Sequence, residues 1–103
     1  MNATQWRERL PNRRRSETFN IECSGLAYTA TASWFDDGRL AELFLNNHKS
    51  NSAADVRDAA IALSLALQNG ADVEVIRKSL CCESHGRASG PLGAALHRLV
   101  TGC

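Results

Sequence analysis

The spacing of apolar residues changes once along this chain, and that change constrains the fold more than any other feature. Apolar and polar residues alternate through residues 18–23, 26–35 and 39–45, which is the pattern of half-buried strands. Beyond residue 52 the apolar residues recur at helical spacing. Strands that all precede the helices pair as antiparallel neighbours. The order therefore predicts an α+β domain with a three-stranded antiparallel meander followed by three helices packed on one face.

Turn and cap residues separate these segments. Gly25 and Gly38 follow polar residues at the predicted turns, where glycine tolerates the positive φ that tight turns require. A capping box opens at Ser52 and predicts a first helix that runs to about Gln68. That helix is apolar over most of its girth, so we expect it to be the most buried of the three. The remaining helix signals are Asn69-Gly70, Asp72 and Pro91.

The predicted sheet has helices on one face only, which leaves its other face open. Depending on the register, Tyr28 or Phe35 would lie on that open face. Exposed apolar patches usually mark contacts with other molecules. We therefore expect a homo-oligomer, and a two-fold dimer is the commonest arrangement.

The charge is distributed unevenly along the chain. Residues 1–15 carry five arginines and one glutamate, a net +4, and the remainder carries seven basic and ten acidic side chains, a net −3. We assign residues 1–16 to a basic N-terminal arm and residues 17–103 to the folded domain. The arm could bind nucleic acid or a nucleotide, dock on acidic protein surface such as Glu42, or stay solvated. Trp6, Leu10 and Pro11 interleave the charges and favour docking. The arm arginines are Arg7, Arg9, Arg13, Arg14 and Arg15.

The loop 46–52 is the candidate anion or nucleotide site. It joins a predicted strand to a helix N-terminus, where unpaired N–H groups and the helix dipole favour negative charge. It lacks the glycine spacing of a phosphate loop, so a plain connection in which Ser52 only caps the helix is the alternative. The candidate side chains are His48, Lys49, Ser50 and Ser52.

The four cysteines predict no disulfide framework and no C-x-x-C site. We expect reduced thiols and no metal, and the alternative is a zinc site built from Cys81, Cys82 and His85. No stretch has the length or apolar character of a membrane span, and the first residues contain no secretory signal. The expected location is the cytoplasm.

A series of short segments resembles one known family. In chain order they read Arg7-Glu8-Arg9-Leu10-Pro11 with Arg13-Arg14-Arg15, then residues 37–45 with their Glu-x-Phe, then His48-Lys49, then residues 62–70, and last Val73-Glu74-Val75-Ile76. Together they resemble the TSCPD domain, the C-terminal module of vitamin B12-dependent, class II ribonucleotide reductases. The resemblance covers residues 7–97 and implies a link to nucleotide metabolism.

The chain departs from the family at the motif that names it. Where the family has Thr-Ser-Cys-Pro-Asp, this chain has Ala88-Ser89-Gly90-Pro91-Leu92, so the motif cysteine and acid are absent. The catalytic barrel that holds cobalamin and substrate in the family is absent too. We therefore expect no cofactor, no reductase activity of its own, and a non-catalytic interaction or regulatory module. Two alternatives stay open: a small nucleotide- or nucleic-acid-binding domain that uses the arm and the loop 46–52, and a detached tail subunit of a ribonucleoside-diphosphate reductase. The expected partners are a reductase subunit or nucleic acid.

Overall fold

The computed structural model describes residues 7–10, 12–47, 53–80, 82, 84 and 88–101. Its strands are β1 (Ser16–Cys23), β2 (Leu26–Trp34) and β3 (Leu40–Asn46), and its helices are α1 (Ala53–Gln68), α2 (Val73–Ser79) and α3 (Pro91–Thr101). The strands form one antiparallel sheet in the order β1-β2-β3. The predicted α+β class and the predicted meander are confirmed.

Two glycines sit where the sequence requires them. Gly38 has a φ of +92° in the turn between β2 and β3, and Gly70 has a φ of +95° directly after α1. Both values lie in the left-handed region, which a residue without a Cβ adopts at little steric cost. The hairpin turn and the end of the first helix therefore fall where the sequence predicts them.

The core lies between the inner face of the sheet and the helices α1 and α3. Its strand and helix members are Ala30, Ala32, Trp34, Leu40, Leu43, Leu45, Ala60, Leu63, Leu67, Ala95 and Leu96. Tyr28 and Phe35 are also buried, so neither provides the exposed apolar area that was expected on the open face. The pairing of β2 with β3 shifts between Ser33 and Trp34, and strict alternation fails at that end of the hairpin. Phe44 is instead the large apolar residue exposed on β3.

Helix α1 buries a single stripe. Ala60, Leu63 and Leu67 lie in the core, as the helical spacing predicts. Ala59, which the spacing also places in the stripe, is exposed. Two apolar residues on the flank of the stripe remain open to solvent as well, because α1 contacts the rest of the domain along one side only: Ile61 and Leu65.

Two polar side chains of α1 cover the free edge of β3. The Ser64 hydroxyl accepts a hydrogen bond from the Leu43 N–H at 2.8 Å and lies 3.0 Å from the Leu43 carbonyl oxygen. The Gln68 amide nitrogen donates to the Ala41 carbonyl at 3.1 Å. Backbone groups at a sheet edge need partners when they are buried, and these side chains supply them. The helix is thereby held against β3 in one register.

Within the part of the chain that the structure describes, no helix has both the length and the apolar character needed to span a membrane.

Candidate functional site

The N-terminal arm folds back onto the end of α1. The Arg7 Nε donates to the side-chain oxygen of Gln68. The backbone N–H of Glu8 donates to the Gln68 carbonyl at 2.8 Å. Gln68 therefore contacts the arm through its side chain and its backbone, and it contacts β3 at the same time. This one residue links three parts of the molecule.

Further along, the arm crosses the end of the sheet. Arg14 forms an ion pair with Glu42 at 3.1 Å, and the exposed fractions of the two side chains are 34% and 12%. The guanidinium of Arg15 lies 4.0 Å from the centre of the Trp34 ring. The backbone carbonyl of Arg15 accepts a hydrogen bond from the backbone N–H of Trp34 at 3.1 Å. A cation over an aromatic ring is attracted by the ring quadrupole. The expected pairing of Glu42 with an arm arginine is present, and the arm covers this end of the sheet.

Arg39 connects the arm to the hairpin. Its guanidinium donates to Glu8 at 2.9 Å and to Asp37 at 2.7 Å, and it lies 4.7 Å from the centre of the Phe35 ring. The Arg39 backbone N–H lowers the pKa of the Asp37 carboxyl most, and the Arg39 side chain lowers it further. Asp37 in turn raises the pKa of Arg39. These charges are exposed, so the ion pairs of Arg39 with Glu8 and Asp37 order the turn more than they stabilise the fold.

Three of the five predicted arm arginines thus contact the folded domain. Arg9 and Arg13 are exposed and form no hydrogen bond or ion pair with any residue that the structure describes. A polyanion that used all five would have to break the contacts of Arg7, Arg14 and Arg15 with the domain. The contacts favour docking, and nucleic-acid binding by the arm stays a prediction.

The predicted anion site is not placed by the structure. His48, Lys49, Ser50 and Ser52 lie outside the described residues. The two residues before them are partly or fully enclosed, since Asn46 is half-buried and Asn47 is buried. The anion site therefore stays a prediction.

The zinc alternative is placed only in part. Cys82 is exposed, and Cys81 and His85 lie outside the described residues. Among the residues that are described, no three or more His, Cys, Asp or Glu side chains come together as a metal site. Cys23 is half-buried, and its thiol donates to the Ser89 carbonyl at 3.6 Å.

Gly90, which stands where the family motif has its cysteine, directly precedes α3. A Cβ built on Gly90 would meet no atom within 4 Å, so the glycine is not required by crowding. A cavity of about 270 Å³ lies beside it, and it is almost entirely apolar. Its lining is formed by Asp55, Val56, Ala59, Leu80 and residues 90–93. The space for a side chain at this position is present, although the thiol is not.

A second open surface lies between β3 and α1, and sequence reasoning did not assign it. A groove of about 340 Å³ is lined by Thr29, Thr31, Phe44, Leu45, Asn46, Arg57 and Ile61. Phe44 is 45% exposed and Ile61 is 46% exposed, so apolar area faces solvent on both walls. The alternation of β3 indicates that Phe44 points away from Leu43 and Leu45. No local pattern shows that Ile61 and Arg57 lie beside it.

Comparison with known proteins gives one family. The family profile described as the TSCPD domain matches residues 3–101. A vitamin B12-dependent ribonucleotide reductase of Agrobacterium fabrum is 40% identical over 70 residues, which are 66% of this chain and 6% of that protein. The enzyme of the same name from Bradyrhizobium diazoefficiens is 36% identical over 70 residues, with the same coverage of 66% and 6%. The chain thus spans a small fraction of the length of these relatives. No solved structure matches the chain.

Proposed function

The chain belongs to the TSCPD domain family, and from that premise we propose that it is a non-catalytic interaction module that operates with a vitamin B12-dependent ribonucleotide reductase. The relatives that carry the same 70-residue region are reductases by name, and the region is 6% of their length. A region of that size is better suited to binding a partner than to catalysing ribonucleotide reduction, and this chain also lacks the motif cysteine.

The observation that carries the proposal is how the arm divides the open face of the sheet. At one end, Arg14 pairs with Glu42, and both Ser33 and Glu42 are buried. Toward the other end, Phe44 stays 45% exposed with the exposed strand residue Thr29 nearby. One end of the face is therefore closed by the chain itself, and the other end is available to a partner.

The same contacts weigh against nucleic acid as the main ligand. Each neutralised phosphate adds about −0.9 to the log–log salt slope of duplex binding. Two phosphate contacts, by Arg9 and Arg13 alone, would give a slope of only about −2, so their electrostatic contribution to affinity would be small. Engaging Arg7, Arg14 and Arg15 as well would require the arm to leave the domain.

Direct binding to a reductase tests the proposal. The probe is a purified vitamin B12-dependent ribonucleotide reductase from which the 70-residue matching region has been deleted, immobilised for biolayer interferometry at about 0.15 M salt. We expect saturable binding of the full chain, and competition by the excised region added in solution. The control is the same measurement with an unrelated protein of similar size and charge.

Two results would contradict the proposal. One is the absence of binding while the deleted reductase remains folded and binds its nucleotides. The other is turnover of a ribonucleotide by the purified chain with adenosylcobalamin and a reductant, because that would make it an enzyme and not a binding module.

A further inference from the structure

The groove between β3 and α1 has the chemistry of a docking site for a peptide segment. We propose that it binds a segment of the partner protein that presents an apolar side chain beside a carboxylate. For the identity of the partner this inference rests on the proposed function.

The walls of the groove supply the apolar half of the site. Phe44 from β3 and Ile61 from α1 both line it, with exposed fractions of 45% and 46%. Leu65, one helical turn beyond Ile61, is 41% exposed and extends the same side of α1. Among the described residues, only Val75 joins these three as an exposed large hydrophobic residue. The exposed apolar area is thus concentrated beside this groove, which favours the insertion of a partner's apolar side chain between β3 and α1.

Arg57 supplies the polar half. Among the residues that the structure describes, it is the one charged residue in the lining, and no acidic side chain lines the groove with it. It is exposed and forms no ion pair or hydrogen bond with any described residue. A guanidinium presents several N–H donors in a plane and pairs with a carboxylate through two parallel hydrogen bonds. The charge of the groove therefore complements one carboxylate.

The wall on the sheet side adds hydroxyl groups. Thr29 and Thr31 line the groove beside Phe44, and each hydroxyl oxygen can accept from a backbone N–H of an extended segment. Thr31 already shares a hydrogen bond with Thr18 at 3.3 Å, which leaves its oxygen an acceptor site. Thr29 already donates to Asn20 within the sheet, and a hydroxyl oxygen retains an acceptor site after donating once. These groups favour a peptide over a purely apolar ligand.

Two other occupants fit the charge pattern less well. A second copy docked symmetrically would bring Arg57 against its own equivalent, with no acid among the described residues of either lining. Nucleic acid would need several cations, and α1 exposes Asp55 and Asp58 close to Arg57 in sequence. A single carboxylate on a protein segment needs only one cation, and Arg57 supplies it.

Matched variants test the groove on the reductase. In the interferometry assay we expect Phe44→Thr and Arg57→Gln each to weaken binding about tenfold or more, because each removes one half of the site. Val75→Ala and Lys78→Gln remove an exposed apolar group and an exposed cation from α2, and they should stay within about twofold of the wild type. Circular dichroism and urea midpoints check that all four variants fold.

A second measurement tests the groove without the reductase. Amide chemical shifts of the labelled chain are followed during titration with acetyl-Phe-Asp-amide and, separately, with acetyl-Phe-Asn-amide. We expect saturating shifts at Phe44, Arg57 and Ile61 with the aspartate probe and much weaker ones with the asparagine probe. The Arg57→Gln variant should no longer distinguish the two probes.

The outcomes separate the two proposals. Binding to the reductase that Phe44→Thr and Arg57→Gln leave unchanged overturns the groove and keeps the proposed function. Failure of the wild type to bind, with the expected dipeptide shifts present, overturns the proposed function alone. Equal shifts with both probes, or none at the groove, overturn this inference. So do a dimer in sedimentation that Phe44→Thr dissociates, and displacement of the probe by an oligonucleotide.

Discussion

Ser64→Ala removes one buried hydroxyl from the contact between α1 and β3. That hydroxyl accepts from the Leu43 N–H at 2.8 Å and lies 3.0 Å from the Leu43 carbonyl and 2.9 Å from the Ala60 carbonyl. The Leu43 side chain is fully buried, and Ser64 is 4% exposed. The substitution therefore leaves a backbone N–H at the strand edge without a partner and without ready access to water.

The magnitude follows from two opposing effects. A buried donor left unsatisfied costs about 1–3 kcal/mol. Alanine is the better helix former, which returns about 0.5 kcal/mol. We expect the free energy of unfolding to fall by about 0.5–2.5 kcal/mol, which lowers Tm by about 2–20 °C for a domain near this size.

The assay is urea unfolding followed by circular dichroism, with an unchanged m-value as the check that both states are comparable. Ser79→Ala is the matched control, because Ser79 makes the same bond to the carbonyl four residues earlier, Val75 at 2.7 Å, but is exposed. We expect that control to change stability by less than about 0.5 kcal/mol. If Ser64→Ala were no more destabilising than Ser79→Ala, the Ser64 hydroxyl would not be holding the strand edge.

Two further predictions concern the arm and the hairpin turn. Gln68→Ala removes the side-chain link from the arm to β3, so we expect a loss of about 1–3 kcal/mol and faster tryptic cleavage of the arm. Asn69→Ala removes an exposed amide next to it and should do neither; equal cleavage rates would show that Gln68 does not hold the arm. The pKa of Asp37 is lowered from 3.8, first by the backbone N–H of Arg39, so its contribution to stability is present above the unfolded-state pKa and is lost as pH falls through the lower folded-state value. Asp37→Asn should therefore show a shallower loss of stability below about pH 5 at low salt, and parallel curves for the two proteins would contradict this.

Features of the arm and the site that depend on one strand or segment could be predicted, and features that depend on two packed elements could not. The predicted pairing of Glu42 with an arm arginine is confirmed. It could be predicted because alternation alone identifies a carboxylate on a strand face. The groove was not predicted, because Phe44 and Ile61 belong to different elements and meet only after packing. Neither Tyr28 nor Phe35 exposes apolar area on the open face. Tyr28 lies on the same face of β2 as the buried Ala30, and Phe35 follows the pairing shift and lies beside the guanidinium of Arg39.

Local sequence accounts for the order of the elements and for where they end. Alternation, helical spacing and two positive-φ glycines depend on neighbours a few residues apart, and they predict the strands, helices and turns correctly. Which face of a helix is buried depends on the element that the helix packs against. Successive helical residues are about 100° apart, and α1 buries Ser64 and Gln68 because the edge of β3 needs hydrogen-bond partners there. Ile61 and Arg57 are left outside for the same reason, and the groove is the consequence.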